Sequence, residues 1–194
     1  MAIITLANPD KVAYYEKAGW EAYYARQWGR AFWLLVRLNR EMFVMGWWDA
    51  AAAAFAIVQA SRAFAPVDND IPLATRYLEQ FYTRARHTLN LTTSPRTLAE
   101  LEMDYWLVHR QLAVRRIQDP TDQDIEPMIQ SLARLHAALF NANLEIIRPS
   151  AEYRAMAAKT VDRITGKYTQ DAAADWQAVE RYLQKAYRSL TVQN

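Results

Sequence analysis

Three histidines, His87, His109 and His136, are the only imidazoles in the chain, and there is no cysteine. Acid/base work, haem ligation and zinc binding therefore depend on what surrounds these three positions. A helical di-iron carboxylate site needs Glu-x-x-His on two helices, so that both ligands leave one face. Three residues before the histidines stand Arg84, Trp106 and Ala133, and four residues after them Leu91, Ala113 and Phe140. Neither the di-iron spacing nor a His-x-x-x-His zinc pair exists, so no metal ligand set is expected. Serines Ser61, Ser94, Ser131, Ser150 and Ser189 stand in capping or helical contexts, outside any Gly-x-Ser-x-Gly elbow.

The constellation that could still do chemistry is Glu102, His109 and His136. Glu102 and His109 are seven apart, which puts them on one helix face two turns from each other. A carboxylate beside an imidazole makes an acid/base pair. His136 lies next to Leu132 and Leu135 on the following helical run. The two imidazoles approach if those helices are neighbours, and either could ligate haem from a bundle wall. Against this stands the commoner outcome, a half-buried histidine whose hydrogen bonds are purely structural. His87 follows Arg84 and Arg86 at a helix end, where the dipole favours a surface cation.

A second signal is aromatic. Tyr14, Tyr15, Trp20, Tyr23, Tyr24, Trp28, Phe32 and Trp33 crowd one run, and Trp47 and Trp48 follow at a corner. They cover more than one helix face, so a single seam cannot bury them all. The remainder is expected to line a ligand pocket or a subunit interface, with Trp20, Tyr23, Trp28, Trp33, Trp47 and Trp48 as candidates. A symmetric homodimer through Trp20, Tyr23 and Trp33 is the expected assembly. The segment 20–35 resembles one tetratricopeptide hairpin, but no second copy follows at the required spacing, so no repeat array is expected.

The elements that must position these residues are announced by their breakers. Four glycines and seven prolines fall almost entirely at the edges of long amphipathic runs. Asn8-Pro9 and Ser94-Pro95 read as N-cap and first helical residue, and Pro72 and Pro127 fit first turns. The first run places Trp20, Tyr24, Trp28, Ala31, Leu35, Leu38, Met42 and Met45 on one stripe, as one helix or two joined near Gly29. Later stripes run through Leu78 and Phe81, Leu98 and Leu112, Ile129 and Leu139, then Val179 and Leu183. Ser150 and Thr169 are the expected caps of the last two helices, and the alanines at 50–54 predict a tightly packed one. No run alternates with period two. The expected fold is all-α, a single-domain bundle of about seven helices over residues 1–194, with no sheet.

Charge nominates no partner: 23 Lys and Arg face 21 Asp and Glu, for a net +2, which argues against nucleic acid. Residues 42–60 carry one charge, Asp49, between Arg40 and Arg62. A central Asp costs roughly 2.5 to 3.5 kcal/mol on insertion, and Gly46 reads as a corner, so a buried helix is expected and no membrane span. The N-terminal residues lack the basic start of a secretory signal, and a cytoplasmic location is expected. Asn90-Leu91-Thr92 is then a chance glycosylation match. The expected function is a soluble binding or protein-interaction module with no cofactor and no catalysis of its own. The alternative is a small-molecule or haem-type helical bundle, an enzyme if Glu102, His109 and His136 act together.

Overall fold

The helices start where polar caps and prolines dictate. Asn8 Oδ1 accepts from Lys11 N at 3.0 Å and Ser94 Oγ from Thr97 N at 3.0 Å, each ahead of a proline. Such caps are worth about 1 kcal/mol each. A computed structural model describes residues 8–89, 91–119 and 121–190, and among them places eight helices and no strand. They are α1 (Pro9–Tyr24), α2 (Trp28–Phe43), α3 (Trp47–Phe64), α4 (Ile71–Leu89), α5 (Pro95–Gln118), α6 (Glu126–Phe140), α7 (Leu144–Thr165) and α8 (Ala172–Ser189). Asn90 of the sequon, the breaker Pro120 and the N-terminal residues 1–7 lie outside the described residues.

Of the two readings of the first run the structure shows two helices, divided at 25–27, just before Gly29, with Arg26 turning the chain at φ 58°, and two expected caps are corrected. Gly29 sits inside the first turn of α2. The last two helices start earlier or at another cap: Asn143 caps α7, leaving Ser150 buried within that helix after Pro149, and Asp171 caps α8. Thr169 instead donates its hydroxyl to Asp175.

Connections of three to seven residues make each helix pack chiefly on its sequence neighbours. The last helix returns to the first, so the eight form a closed ring. Its α1–α8 seam is antiparallel: Arg188 forks onto Asp10 with two bonds of 2.8 Å, and Glu16 meets Tyr187 further along. Inward stripes are filled as expected, by Ala74, Leu78, Phe81 and Ala85 on α4 and by Ile129, Leu132, Leu135 and Leu139 on α6.

The α3–α4 wall is made of small residues. Ala50, Ala53, Ala54 and Ala60 of α3 have no exposed surface, and neither do Ala74 and Ala85 of α4. Asn39 of α2, also buried, donates to Ala50 O at 3.3 Å and fixes where α3 begins. Ala53→Leu is therefore expected to overpack this wall by about 1 to 3 kcal/mol. Ala52 is only half-buried and should tolerate leucine far better. Equal melting temperatures for the two variants would mean that α3 and α4 are not in close contact.

No single helix among the described residues is long and apolar enough to cross a membrane. The α2 and α3 helices pass on length and composition only as a pair, and they are bent by 118° across the 44–46 break.

Candidate functional site

Several charged residues sit on apolar stripes, and helical spacing turns them inward. Glu16 follows Val12 by four positions, Arg116 follows Leu112 by four, and Arg154 lies among the buried Ala151, Ala155 and Ala158. Asp162 continues that line four residues beyond Ala158. A charge placed there must find a partner, because an isolated ion in the interior costs far more than the fold can supply.

The first cluster joins α1, α7 and α8. Arg154 bonds Glu16 through Nη2 and Tyr187 Oη through Nη1 at 2.8 Å, while the Tyr187 hydroxyl donates to the second Glu16 oxygen. Burial opposes the Arg154 charge, but Glu16, Tyr187, Tyr105 and Glu102 outweigh it and raise the guanidinium pKa. Glu102 on α5 accepts from Tyr82 Oη and from Trp106 Nε1, both at 2.8 Å. Burial, reinforced by Glu102, holds the Tyr82 hydroxyl well above its ordinary value. Glu16, Tyr82, Tyr105 and Tyr187 around it are buried, whereas Arg154 keeps 17% of its side chain accessible.

The second cluster lies further along α5 and α7. Asp162 Oδ1 pairs with His109 Nε2 at 2.8 Å and Oδ2 with Arg116 Nη1 at 2.8 Å. Arg116 also donates to Asp124 O at 2.9 Å, tying the α5–α6 connection to the same point. The His109 ring stacks on Tyr105, centroids 5.8 Å apart and planes within 10°. Nε2 is held by Asp162, whereas Nδ1 has no partner among the described residues, and the side chain remains 25% accessible. Tyr24, in the last turn of α1, feels the same carboxylate: desolvation of its hydroxyl end and the Asp162 charge push its pKa up to about 12, although nearly half of the residue's surface is exposed.

Glu102 and His109 thus share α5 but not a bond. The carboxylate engages Tyr82 and Trp106, and the imidazole takes its partner from α7, 53 residues away. His136 does not join them. It is buried on α6 against Phe140, with Nδ1 unbonded, and burial and the Arg154 charge push its pKa down to about 3. The ring is therefore expected to stay neutral in NMR titrations down to about pH 4, and a midpoint near 6.5 would refute its placement. The unfolded chain takes up that proton below about 6.5. Stability should fall as pH drops from there towards 3, by about 1.4 kcal/mol per unit from this group.

The aromatic candidates separate into two groups. Trp20 packs against the core, whereas Tyr23 and Trp28 meet edge to face at the α1–α2 corner, 5.6 Å apart and largely exposed. Tyr24 and Trp28, which the spacing put on an inward stripe, are also largely exposed, because the chain turns between them. Trp33 and Trp47 stack at the α2–α3 corner, 5.4 Å apart, and Trp48 beside them is 90% exposed. A shallow depression lined by Thr83, Arg86, His87, Leu91 and Pro95 shares no residue with the interior clusters. Among the described residues no three His, Asp or Glu side chains converge as a metal site requires.

No protein-family model matches this chain, and no curated protein or solved structure shows significant similarity to it.

Proposed function

We propose that this protein binds a small organic molecule carrying a protonated amine inside its ring of helices. One observation carries the reading: the three inward-turned carboxylates Glu16, Glu102 and Asp162 are matched by two guanidiniums, Arg116 and Arg154, and the His109 imidazole, and Arg154 and His109 each keep accessible surface. Buried ion pairs are a poor way to hold helices together, since well-packed apolar residues do as well or better. Their concentration in one place therefore supports a binding role. The excess carboxylate favours a cationic guest, and Trp106, bonded to Glu102, supplies a ring face of the kind that holds ammonium groups.

The test is a thermal-shift and calorimetric panel of small amines and of carboxylates of matched size. An amine should raise the melting temperature of the parent, and Glu102→Gln should abolish the shift while retaining helical circular dichroism. Binding of carboxylates alone, or of nothing in the panel, would overturn the proposal.

A further inference from the structure

The α2–α3 corner is built unlike the rest of the surface. Arg37 lies over the rings of both Trp33 and Trp47, 5.5 and 5.6 Å from their centroids, and Arg40 lies over Trp47 at 3.7 Å. Neither guanidinium has a carboxylate partner among the described residues. Arg30, one turn before Trp33, bonds only the Gln27 amide. The nearby acids are Glu41, which Lys11 engages at 3.6 Å, and Asp49, which leaves the corner positive.

Apolar side chains project from the same turn. Val44, at φ 53°, occupies the left-handed position that ends α2, and most of its surface is exposed. That conformation is rare for a β-branched residue and usually given to glycine or asparagine, as Asn141 does after α6. Strain of this kind, spent on exposing an apolar side chain, belongs to working surfaces rather than to packing. Trp48 stands almost free beside it.

We propose that this corner docks on an anionic phospholipid surface, with Trp48 and Val44 entering the headgroup region and Arg37 and Arg40 meeting the phosphates. Tryptophan is the residue of the membrane interface, and guanidiniums carried on aromatic faces stay available to phosphate while their stems lie on apolar surface. Charge complementarity selects the lipid: Arg37 and Arg40, the latter bonded only to the Met45 carbonyl at 3.4 Å, have no carboxylate to neutralise them among the described residues and favour an anionic headgroup over a neutral one. This is contact with one leaflet, distinct from a span, for which neither helix alone is long and apolar enough.

The experiment is co-sedimentation of the whole protein with vesicles of phosphatidylcholine, with and without phosphatidylglycerol. Binding is expected only to the anionic vesicles, and it should weaken in high salt. Arg37→Gln with Arg40→Gln should lower it by about thirtyfold. Trp48→Ser, which removes no packed side chain, should release the protein at an unchanged melting temperature. Val44→Asn gives a readout that loss of folding cannot mimic, because relief of the left-handed strain should raise the melting temperature while vesicle binding falls. Absence of binding to either vesicle overturns the proposal. So does a parent dimer in sedimentation equilibrium that Trp48→Ser dissociates, or binding to a single-stranded oligonucleotide without binding to vesicles.

Discussion

Arg116→Ala is expected to destabilise the protein by about 3 to 5 kcal/mol, the loss seen when one member of a buried ion pair is removed. The Arg116 side chain is 2% exposed, and it neutralises Asp162 while holding the Asp124 carbonyl. Without it Asp162 is left with His109 alone, and the α5–α6 connection loses its anchor. For a chain of this length the melting temperature should fall by roughly 6 to 20 °C. The double variant Arg116→Met with Asp162→Leu separates charge from packing: with both ions replaced by apolar groups, much of the loss should return. A single variant that denatures in urea like the parent would mean that Asp162 is solvated and the cluster is not closed.

The second large effect is expected at Arg154. Arg154→Ala leaves Glu16 buried with only the Tyr187 hydroxyl, again at about 3 to 5 kcal/mol. Glu16→Gln should cost less, because the amide oxygen still accepts and Glu102 continues to offset the guanidinium. A double-mutant cycle between the two positions should give a coupling of at least about 1 kcal/mol. Strict additivity would show that the α1, α7 and α8 groups do not meet.

How much of this was readable beforehand follows from what helical periodicity carries. Asn8-Pro9 and Ser94-Pro95 announced their helices because cap and proline act within one turn. The start of α7 was hidden because Pro149 with Ser150 imitates a helix beginning, while Asn143, the true cap, stands in a polar stretch. Glu102 and His109 were found as polar residues flanking an apolar seam. Their partners were not, since spacing along one helix says nothing about which other helix faces it, and Asp162 arrives from 53 residues away. Arg154 was missed although its signal is present: a charge three, one and four residues from the core alanines Ala151, Ala155 and Ala158 cannot point to solvent. Glu16 and Arg116 carry the same mark.

The closed ring also has a kinetic meaning. Seven of its eight helix junctions join sequence neighbours, whereas the α1–α8 junction joins groups 171 and 178 positions apart. Closing a loop of that size costs about 2 kcal/mol more entropy than closing one a tenth as long. This seam should therefore form last and slowly, after the locally wound helices have assembled. A circular permutant, with a linker from α8 to α1 and new ends in the 65–70 connection, makes the seam local. It should fold faster than the parent and keep every contact around Arg154 and Asp162, while the slow step moves to the junction between α3 and α4.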